Sequence, residues 1–424
     1  MEQVLTHFAV ALRRVGAEAA VAAGPPAGYA VAGPVPLATI RPRDEAGIGA
    51  VVSVARDAGL ALLVRGAGSC DRAGGVLRAA PVVVLDTTAC AGLVAYAPGD
   101  LTVRVRPGTR LSDLDAVLAA RGQMLGTGRP SGGATTVGGL LGADAWGPSR
   151  LRWGGARDAV LGMRCVDGAG RAFAAGANVV KNVSGLDVGK LMVGSFGTLA
   201  VLTEVCLRLR PRPRASALRG AAFGSDATAL AAARAVLDAD FVPTAIAVAD
   251  GACLVAVDGG PADVADQAER LAALDGWSRP LPAEAAEAAW RAAADPAAAA
   301  GPEGVAVRCD VPEGALAALM AEGAVLAPAA RLTAWAGLGV LWVVLESAPA
   351  GSLTPDRVAD VVRGVRAAAE AGGGRAVVAA APEGVRAAVP PFGDPGALLP
   401  WLSAVKHGFD PDGVLAPGRF VGGL

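Results

Sequence analysis

The apolar run Leu60 to Val64 leads straight into Arg65-Gly66-Ala67-Gly68-Ser69-Cys70-Asp71. A buried strand that empties into a glycine-rich turn can aim successive backbone N–H groups at one point and hold an anion there. Glycine keeps side chains out of the way of an approaching phosphate. The turn is not a dinucleotide fingerprint, because Asp71 occupies the third glycine position and no helical pattern follows at once. Taken alone it reads as either a structural turn or a phosphate cradle. A second segment, Thr135-Thr136-Val137-Gly138-Gly139 with Ala143-Asp144-Ala145-Trp146-Gly147, offers hydroxyls and closely spaced glycines to a phosphate or a flat ring. Two such segments, each after strand-forming sequence, support one another. Arg157-Asp158-Ala159-Val160-Leu161-Gly162 and Val180-Lys181-Asn182-Val183-Ser184-Gly185-Leu186-Asp187 supply further polar groups. Lys190 follows Asp187 at the spacing of a local ion pair, worth well under ~1 kcal/mol if exposed. The only histidines are His7 and His407. That leaves no histidine-rich metal site, and no Ser-His-Asp or Cys-His triad unless His407 serves in it. Chemistry in this chain needs a cofactor.

Composition narrows the classes. Of 424 residues, 38 are Lys or Arg and 39 are Asp or Glu, so the net charge is −1 and nothing favours nucleic acid as a partner. Mean hydropathy is +0.46, yet the apolar run Ala336 to Leu345 is about half of the ~20 residues a membrane-spanning helix needs. Arginine dominates the basic residues, and lysine occurs only as Lys181, Lys190 and Lys406, which draws attention to each. Cys70, Cys90, Cys165, Cys206, Cys253 and Cys309 form no CxxC pair and read as free thiols in a reducing compartment. Glu2 is acidic, and no basic stretch precedes an apolar one, which argues against a signal peptide. The sequence reads as cytoplasmic, peripheral to the inner face of the membrane only through partners.

These segments need a scaffold, and the length suits two or three domains. Residues 1–15 pattern as an amphipathic helix and Leu37 to Ile40 as a strand. Asp44 caps a helix of about 15 residues with Ile48, Val51, Val52 and Ala55 at helical spacing. Val82 to Leu85, Leu101 to Arg106 and Leu199 to Leu209 read as strands, and Leu111 to Arg121 as a helix. Ala159 to Val166 and Arg171 to Ala174 form a hairpin about Asp167-Gly168-Ala169-Gly170. Gly126 to Gly155 reads as one long glycine-rich loop, a kind that is usually functional. Arg210-Pro211-Arg212-Pro213-Arg214 marks a domain boundary. Beyond it, helices near 226–237, 262–273, 312–322 and 354–370 alternate with strands near 242–249, 252–257, 305–310, 330–335, 339–346 and 374–380. That is the pattern of an α+β sandwich, ferredoxin-like or similar. The Ala-rich stretch Ala283 to Gly301 is a surface helix or a poorly ordered insert.

In this order the segments resemble the vanillyl-alcohol-oxidase, or p-cresol-methylhydroxylase, type of FAD-binding domain. The matching pieces are Arg65-Gly66-x-Gly68, Pro107-Gly108 before a helix, Thr136-Val137-Gly138-Gly139, Arg157-Asp158 with Leu161-Gly162, and Gly194-Ser195-x-Gly197-Thr198-Leu199-x-Val201-x-Thr203-Glu204. Phe409-Asp410-Pro411-Asp412-Gly413-Val414-Leu415-Ala416-Pro417-Gly418-Arg419 resembles the family's closing motif, with Ala416 where the family usually has Asn. Gly122 to Leu125, Lys181 to Asp187, Leu191 to Gly197 and the join Leu209 to Ser216 are more narrowly similar to the FAD-binding subunit of glycolate oxidase. The resemblance runs from about residue 40 to 216 and resumes in the tail; the stretch between matches only in length and texture.

The resemblance implies an α+β fold in three parts. These are a two-lobed FAD-binding domain over 1–216, an α+β cap domain with an antiparallel sheet and helices over 217–395, and a segment 396–424 that returns to the FAD domain. It implies noncovalent FAD, because Ser69 stands where covalently flavinylated members often have His; Cys70 is the lesser, thioether alternative. The pyrophosphate is expected on the backbone of Gly66, Ala67, Gly68, Ser69 and Cys70, beside Arg65. Thr135, Thr136, Gly138, Gly139 and Asp144 are expected to flank the ribityl and isoalloxazine side, and Gly197, Leu199 and Val201 to offer backbone contacts. Pro107, Gly147, Arg157, Asp158 and Val160 complete the expected cofactor set.

Oxidising a 2-hydroxy acid requires a clamp for the carboxylate, a base for the hydroxyl and a flavin. His407 is the one weak candidate base, a surface helix residue being the preferred reading of it, and no His/Glu cluster for a metal exists. The favoured reading is an FAD-binding subunit of a glycolate-oxidase-like complex. It would relay electrons with a catalytic FAD subunit and an iron–sulfur subunit, since this chain lacks the Cys spacing for a cluster, and it would meet its small 2-hydroxy acid substrate through the complex. One alternative is a self-sufficient FAD-dependent dehydrogenase or oxidase of D-lactate, glycolate or a sugar acid, using His407 or Lys181. Another is a structural subunit that has lost flavin, against which the intact Arg65 to Ser69 and Gly194 to Leu199 segments argue.

Overall fold

The computed structural model describes residues 2–14, 16, 19–78, 81–128, 135–176, 187–277, 279–346 and 354–424. In its first sheet Ala38–Pro42, Val82–Asp86 and Ala61–Arg65 run parallel, and Ala19–Ala23 adds antiparallel beside Ala38–Pro42. The crossover helix Glu45–Asp57 starts where expected, with the Asp44 carboxylate accepting from the Gly47 amide at 2.8 Å. Ile48, Val51, Val52 and Ala55 form its buried face. Each large aliphatic side chain placed there contributes about 1.5–3 kcal/mol of burial.

The second sheet is antiparallel throughout, in the order Leu93–Ala97, Thr102–Val105, Ala200–Arg208, Val160–Asp167 and Ala172–Gly176. Its hairpin closes through the Asp167 carboxylate, which accepts from the amides of Ala169 and Arg171 at 2.9 Å each.

The glycine-rich stretch departs from expectation. Its described part is not one loop but carries two short helices, Val137–Gly142 and Arg150–Trp153, and a third, Ala156–Ala159, follows directly after it. Thr136 caps the first by accepting from the Gly139 amide at 3.1 Å, and Val137, Leu140 and Leu141 pack into the core of the second sheet. Glycine costs a helix about 1 kcal/mol per residue relative to alanine, so composition argued for a loop. Close packing reverses that: a Cβ on Gly138 would stand 3.0 Å from the Pro107 Cβ.

The third sheet has seven antiparallel strands in the order Ala215–Ala222, Ala252–Gly259, Ala245–Ala249, Arg331–Trp335, Val340–Leu345, Val305–Asp310 and Arg375–Ala380. Its first strand begins at Ala215, directly after the Pro/Arg segment, while Arg210–Pro211 pairs back with Gln123–Met124. Side chains alternate across this sheet. Leu341, Val343 and Leu345 meet the helices Asp226–Asp238, Leu316–Leu326 and Pro355–Ala371. Val340, Trp342 and Val344 face the other way, toward Ala283–Ala294 and toward Trp146. The apolar run 336–345 is therefore the core of a strand covered on both faces. The Ala-rich stretch is helical over Ala283–Ala294 and Pro296–Ala299.

The tail comes back to the first sheet. The Leu62 amide donates to the Val414 carbonyl at 2.7 Å, and the Ala416 amide to the Leu62 carbonyl at 2.8 Å, covering the edge of Ala61–Arg65. Among the described residues, no helix is long and apolar enough to cross a membrane.

Candidate functional site

A cleft opens where Ala61–Arg65 ends, with the start of Ala200–Arg208 on its far wall. Gly66, Ala67, Gly68, Ser69, Cys70 and Asp71 form one wall. Asp71, which broke the fingerprint, has its own role there: its carboxylate pairs with the Arg65 guanidinium at 2.9 Å, and both side chains are buried. The pair forces glycine on the turn. Gly68 has φ +86°, and a Cβ there would stand 2.1 Å from the Arg65 Nη2. A Cβ on Gly66 would stand 2.4 Å from the Thr136 Oγ1. Among the described residues, the amides of Ala67, Gly68, Ser69 and Cys70 donate to no other residue of the chain. Four free donors along one turn suit an anion.

The opposite wall is built from Pro107, Gly138, Gly139, Gly142 and Ala143, together with Ser195, Phe196, Gly197, Ala200 and Leu202. Gly197 has φ +68°, and a Cβ on it would lie 2.8 Å from the Val64 Cβ, so this wall approaches the Ala61–Arg65 strand as closely as backbone allows. Thr136 stands behind Gly66, and Thr135 behind Gly139, with its Cγ2 3.5 Å from where a Cβ would be. Asp144 follows Ala143 and packs against Gly194. It adopts φ +45°. Its Oδ1 is buried with no hydrogen-bond partner, and burial pushes its carboxyl above the usual range, against the pull of Arg150, Arg308 and Arg157.

Other expected residues lie elsewhere. On the strand Ala200–Arg208 the cleft receives Ala200 and Leu202, while Leu199 and Val201 bury their side chains in neighbouring cores. Arg157 and Asp158 are exposed, and the Asp158 carboxylate accepts from the Gly155 amide at 2.8 Å. Val160 opens a strand and packs in the core. Gly147 is buried against Gly128. His407 sits exposed on the helix Leu399–Phe409 and does not line the cleft. His7 lies on the helix Glu2–Arg14. Lys181 and Asn182 fall outside the described residues, and Lys190 pairs with Asp187 at 3.2 Å on the surface.

The structure also supplies groups to which the sequence assigned no role. Arg419 lines the cleft and is 4% exposed. Its Nη2 donates to the Ala73 carbonyl at 2.9 Å, whereas Nε and Nη1 are buried without partners. Burial pushes its guanidinium below the ordinary arginine range. Lys406 is buried beside Asp410, its Nζ donating to Asp410 at 2.5 Å, to the Thr198 carbonyl at 2.6 Å and to the Leu415 carbonyl at 2.8 Å. Its rarity among the basic residues was the one available signal. Two more arginines fix the 66–76 turn from the seven-stranded side of the molecule. Arg72 donates to the carbonyls of Gly301 and Gly304, and Arg386 donates to the Asp71 carbonyl at 3.0 Å and to the Ala30 carbonyl at 3.1 Å.

FAD fits these residues. Its pyrophosphate is an anion, and the cleft presents free amides and a buried guanidinium with two unsatisfied N–H groups; its flat ring needs walls of small residues, and the far wall is largely Gly and Ala. Residues 36–176 match the FAD binding domain family. Over 133 residues the chain is 44% identical to glycolate oxidase subunit GlcE of Escherichia coli, a match that covers 31% of this chain and 38% of that protein. Over 175 residues it is 30% identical to a D-lactate dehydrogenase of Archaeoglobus fulgidus, covering 41% of this chain and 39% of that one. The matched segments thus span well under half of these relatives. Over its whole length the fold is similar to that of p-cresol methylhydroxylase, solved with substrate bound, with a TM-score of 0.72 at 13% identity, covering 99% of this chain and 97% of the other.

Proposed function

We propose that this chain, an FAD-binding protein of the p-cresol-methylhydroxylase fold, is an oxidoreductase subunit of the glycolate-oxidase type, acting on small 2-hydroxy acids beside a catalytic flavoprotein subunit and an iron–sulfur subunit. The observation that carries the reading is the pairing of a glycine turn having free amides with Arg419, whose Nε and Nη1 have no acceptor among the described residues. FAD supplies the two-electron redox chemistry when bound. The chain's part is to hold it. Gly66 to Cys70 and Arg419 take the phosphates, Gly138, Gly139 and Gly197 admit the ring system, and the tail seals the strand edge beside them.

Two further features support this reading. Burial pushes the Cys70 thiol up, disfavouring the thiolate that a thioether link would require, which supports noncovalent flavin. The exposure of His407 on a helix away from the cleft removes the expected base, which favours a chain that works with partners over a self-sufficient dehydrogenase.

The test is the absorbance spectrum of the purified chain under anaerobic conditions, before and after glycolate or D-lactate. The reading expects a flavin spectrum, release of all flavin on acid precipitation, and bleaching by acid only when the partner subunits are present. A chain that takes up no FAD would sink it. Bleaching by the isolated chain would move the assignment to a self-sufficient dehydrogenase.

A further inference from the structure

Beyond Asp144 the molecule places two arginines on one indole. The Arg150 guanidinium lies 4.3 Å from the Trp146 ring centroid and that of Arg308 lies 4.7 Å from it. They arrive from different parts of the fold. Arg150 opens the short helix Arg150–Trp153, whose Leu151 packs against the core of the seven-stranded sheet. Arg308 stands on the strand Val305–Asp310, next to the edge of the seven-stranded sheet and directly opposite Trp342 in register. Alternation along that strand sends Val305, Val307 and Cys309 into the helix-covered core, so Arg308 projects with Ala306 toward the face that Trp146, Trp335 and Trp342 occupy.

Charge does not balance there. Arg308 pairs with Asp310 at 3.2 Å, but Asp310 is shared with Arg375 at 3.5 Å. Arg150 makes no ion pair among the described residues. Two buried polar atoms beside this cluster are unpartnered: the Asp144 Oδ1 and the Trp342 Nε1. Both guanidinium groups act electrostatically on the Asp144 carboxyl. Two guanidinium groups resting on one indole, with an unsatisfied donor and an unsatisfied carboxyl oxygen alongside, form a half-buried polar cluster with hydrogen-bonding capacity left over.

We propose that Arg150 and Arg308 clamp the carboxylate of a small organic acid, and that the Asp144 Oδ1 hydrogen-bonds a hydroxyl on its neighbouring carbon. The reading above names the class of acid, and this inference rests on it for that class alone. The new content is that this chain itself contacts the acid, through Asp144, which follows the cleft residues Gly142 and Ala143, and through the two arginines that act on it. Guanidinium groups suit a carboxylate because they present paired donors, and a buried polar group built to meet a hydroxyl rejects the analogue lacking it.

The experiment titrates the FAD-loaded chain with glycolate, acetate and chloride at constant ionic strength, following tryptophan fluorescence and the melting temperature. Glycolate is expected to bind at least tenfold more tightly than acetate, and chloride to give no saturable response. R308M and R150M should each weaken glycolate at least tenfold. D144N should lose at least half of the preference for glycolate over acetate on a logarithmic scale while still binding acetate. Equal responses to all three anions, or wild-type glycolate binding by both arginine variants, would overturn the proposal. The wild-type comparison of glycolate with acetate stands even if a variant fails to fold. Absence of flavin from the preparation would count against the FAD reading alone, because the fluorescence titration needs no flavin.

Discussion

Replacing Arg419 with methionine separates cofactor binding from folding, because the two should move in opposite directions. In the free chain Arg419 is a buried cation whose Nε and Nη1 have no acceptor, and burial already disfavours its charge. Methionine keeps most of the side-chain volume and removes that charge. The lost bond from Nη2 to Ala73 costs about 1 kcal/mol. The Ala73 carbonyl is not orphaned, since Arg386 also donates to it at 3.4 Å. Relief of an uncompensated buried charge is worth about 1–4 kcal/mol. The flavin-free R419M chain should therefore be as stable as wild type or more stable by up to about 3 kcal/mol. In the loaded chain two charge-assisted bonds to phosphate disappear, each worth about 1.5–3 kcal/mol. At 1.4 kcal/mol per tenfold, FAD affinity should fall by a factor of at least ~10². Quenching of flavin fluorescence gives the affinity, and melts of the flavin-free chain give the stability. An FAD affinity within threefold of wild type would refute the reasoning. So would a parallel fall in both quantities, which would mark Arg419 as a packing residue only.

Three further outcomes are expected. K406M strands the Asp410 carboxylate, which is 0% exposed, and should cost about 3–5 kcal/mol in urea unfolding; a loss under 1 kcal/mol would show that the buried pair contributes little. G197A forces a side chain into the left-handed region and against Val64, so it should cost about 1–3 kcal/mol and weaken FAD binding, both visible in melts with and without the cofactor. D144N concerns pH. The folded Asp144 carboxyl titrates above its ordinary value of 3.8, so the folded state binds more protons than the unfolded state between the two values, and its stability contribution falls as pH rises through that window. D144N should then raise the melting temperature at neutral pH, with the gain shrinking as pH falls toward the ordinary carboxylate value. A gain that stays constant with pH would show that ionisation is not its cause.

Much of the framework could be read from the sequence because it rests on local signals. The helix Glu45–Asp57 announced itself through Asp44 and four apolar positions at helical spacing. Six strands of the seven-stranded sheet showed as short apolar runs between helical patterns, and the seventh, Ala215–Ala222, did not. What escaped were features set by distant packing. The helix Val137–Gly142 is held by Thr136 and by contact with Pro107, which no propensity records. Leu199 and Val201 were expected to offer backbone contacts; that the side chains of Ala200 and Leu202 line the cleft depends on the orientation of the strand. The roles of Arg419 and Lys406 depend on partners hundreds of residues away, such as Ala73 and Thr198. Ala416 is a milder case: it adopts φ +43°, a conformation asparagine accepts more readily than alanine, and the family's usual Asn there is consistent with that backbone demand.

The return of the tail to Ala61–Arg65 also sets a timetable for the cell. Leu62 leaves the ribosome long before its edge partner Leu415 and the cleft residue Arg419, which lie hundreds of residues later in the chain. The glycine turn can form during synthesis, but the guanidinium that completes the anion cradle cannot reach it until residue 419 is free. Contacts of such sequence separation are slow to close. Completion of the proposed cradle must therefore wait until residue 419 has been made. Any nascent chain stalled before its closing motif would display an unsealed strand edge, open to pairing with other chains.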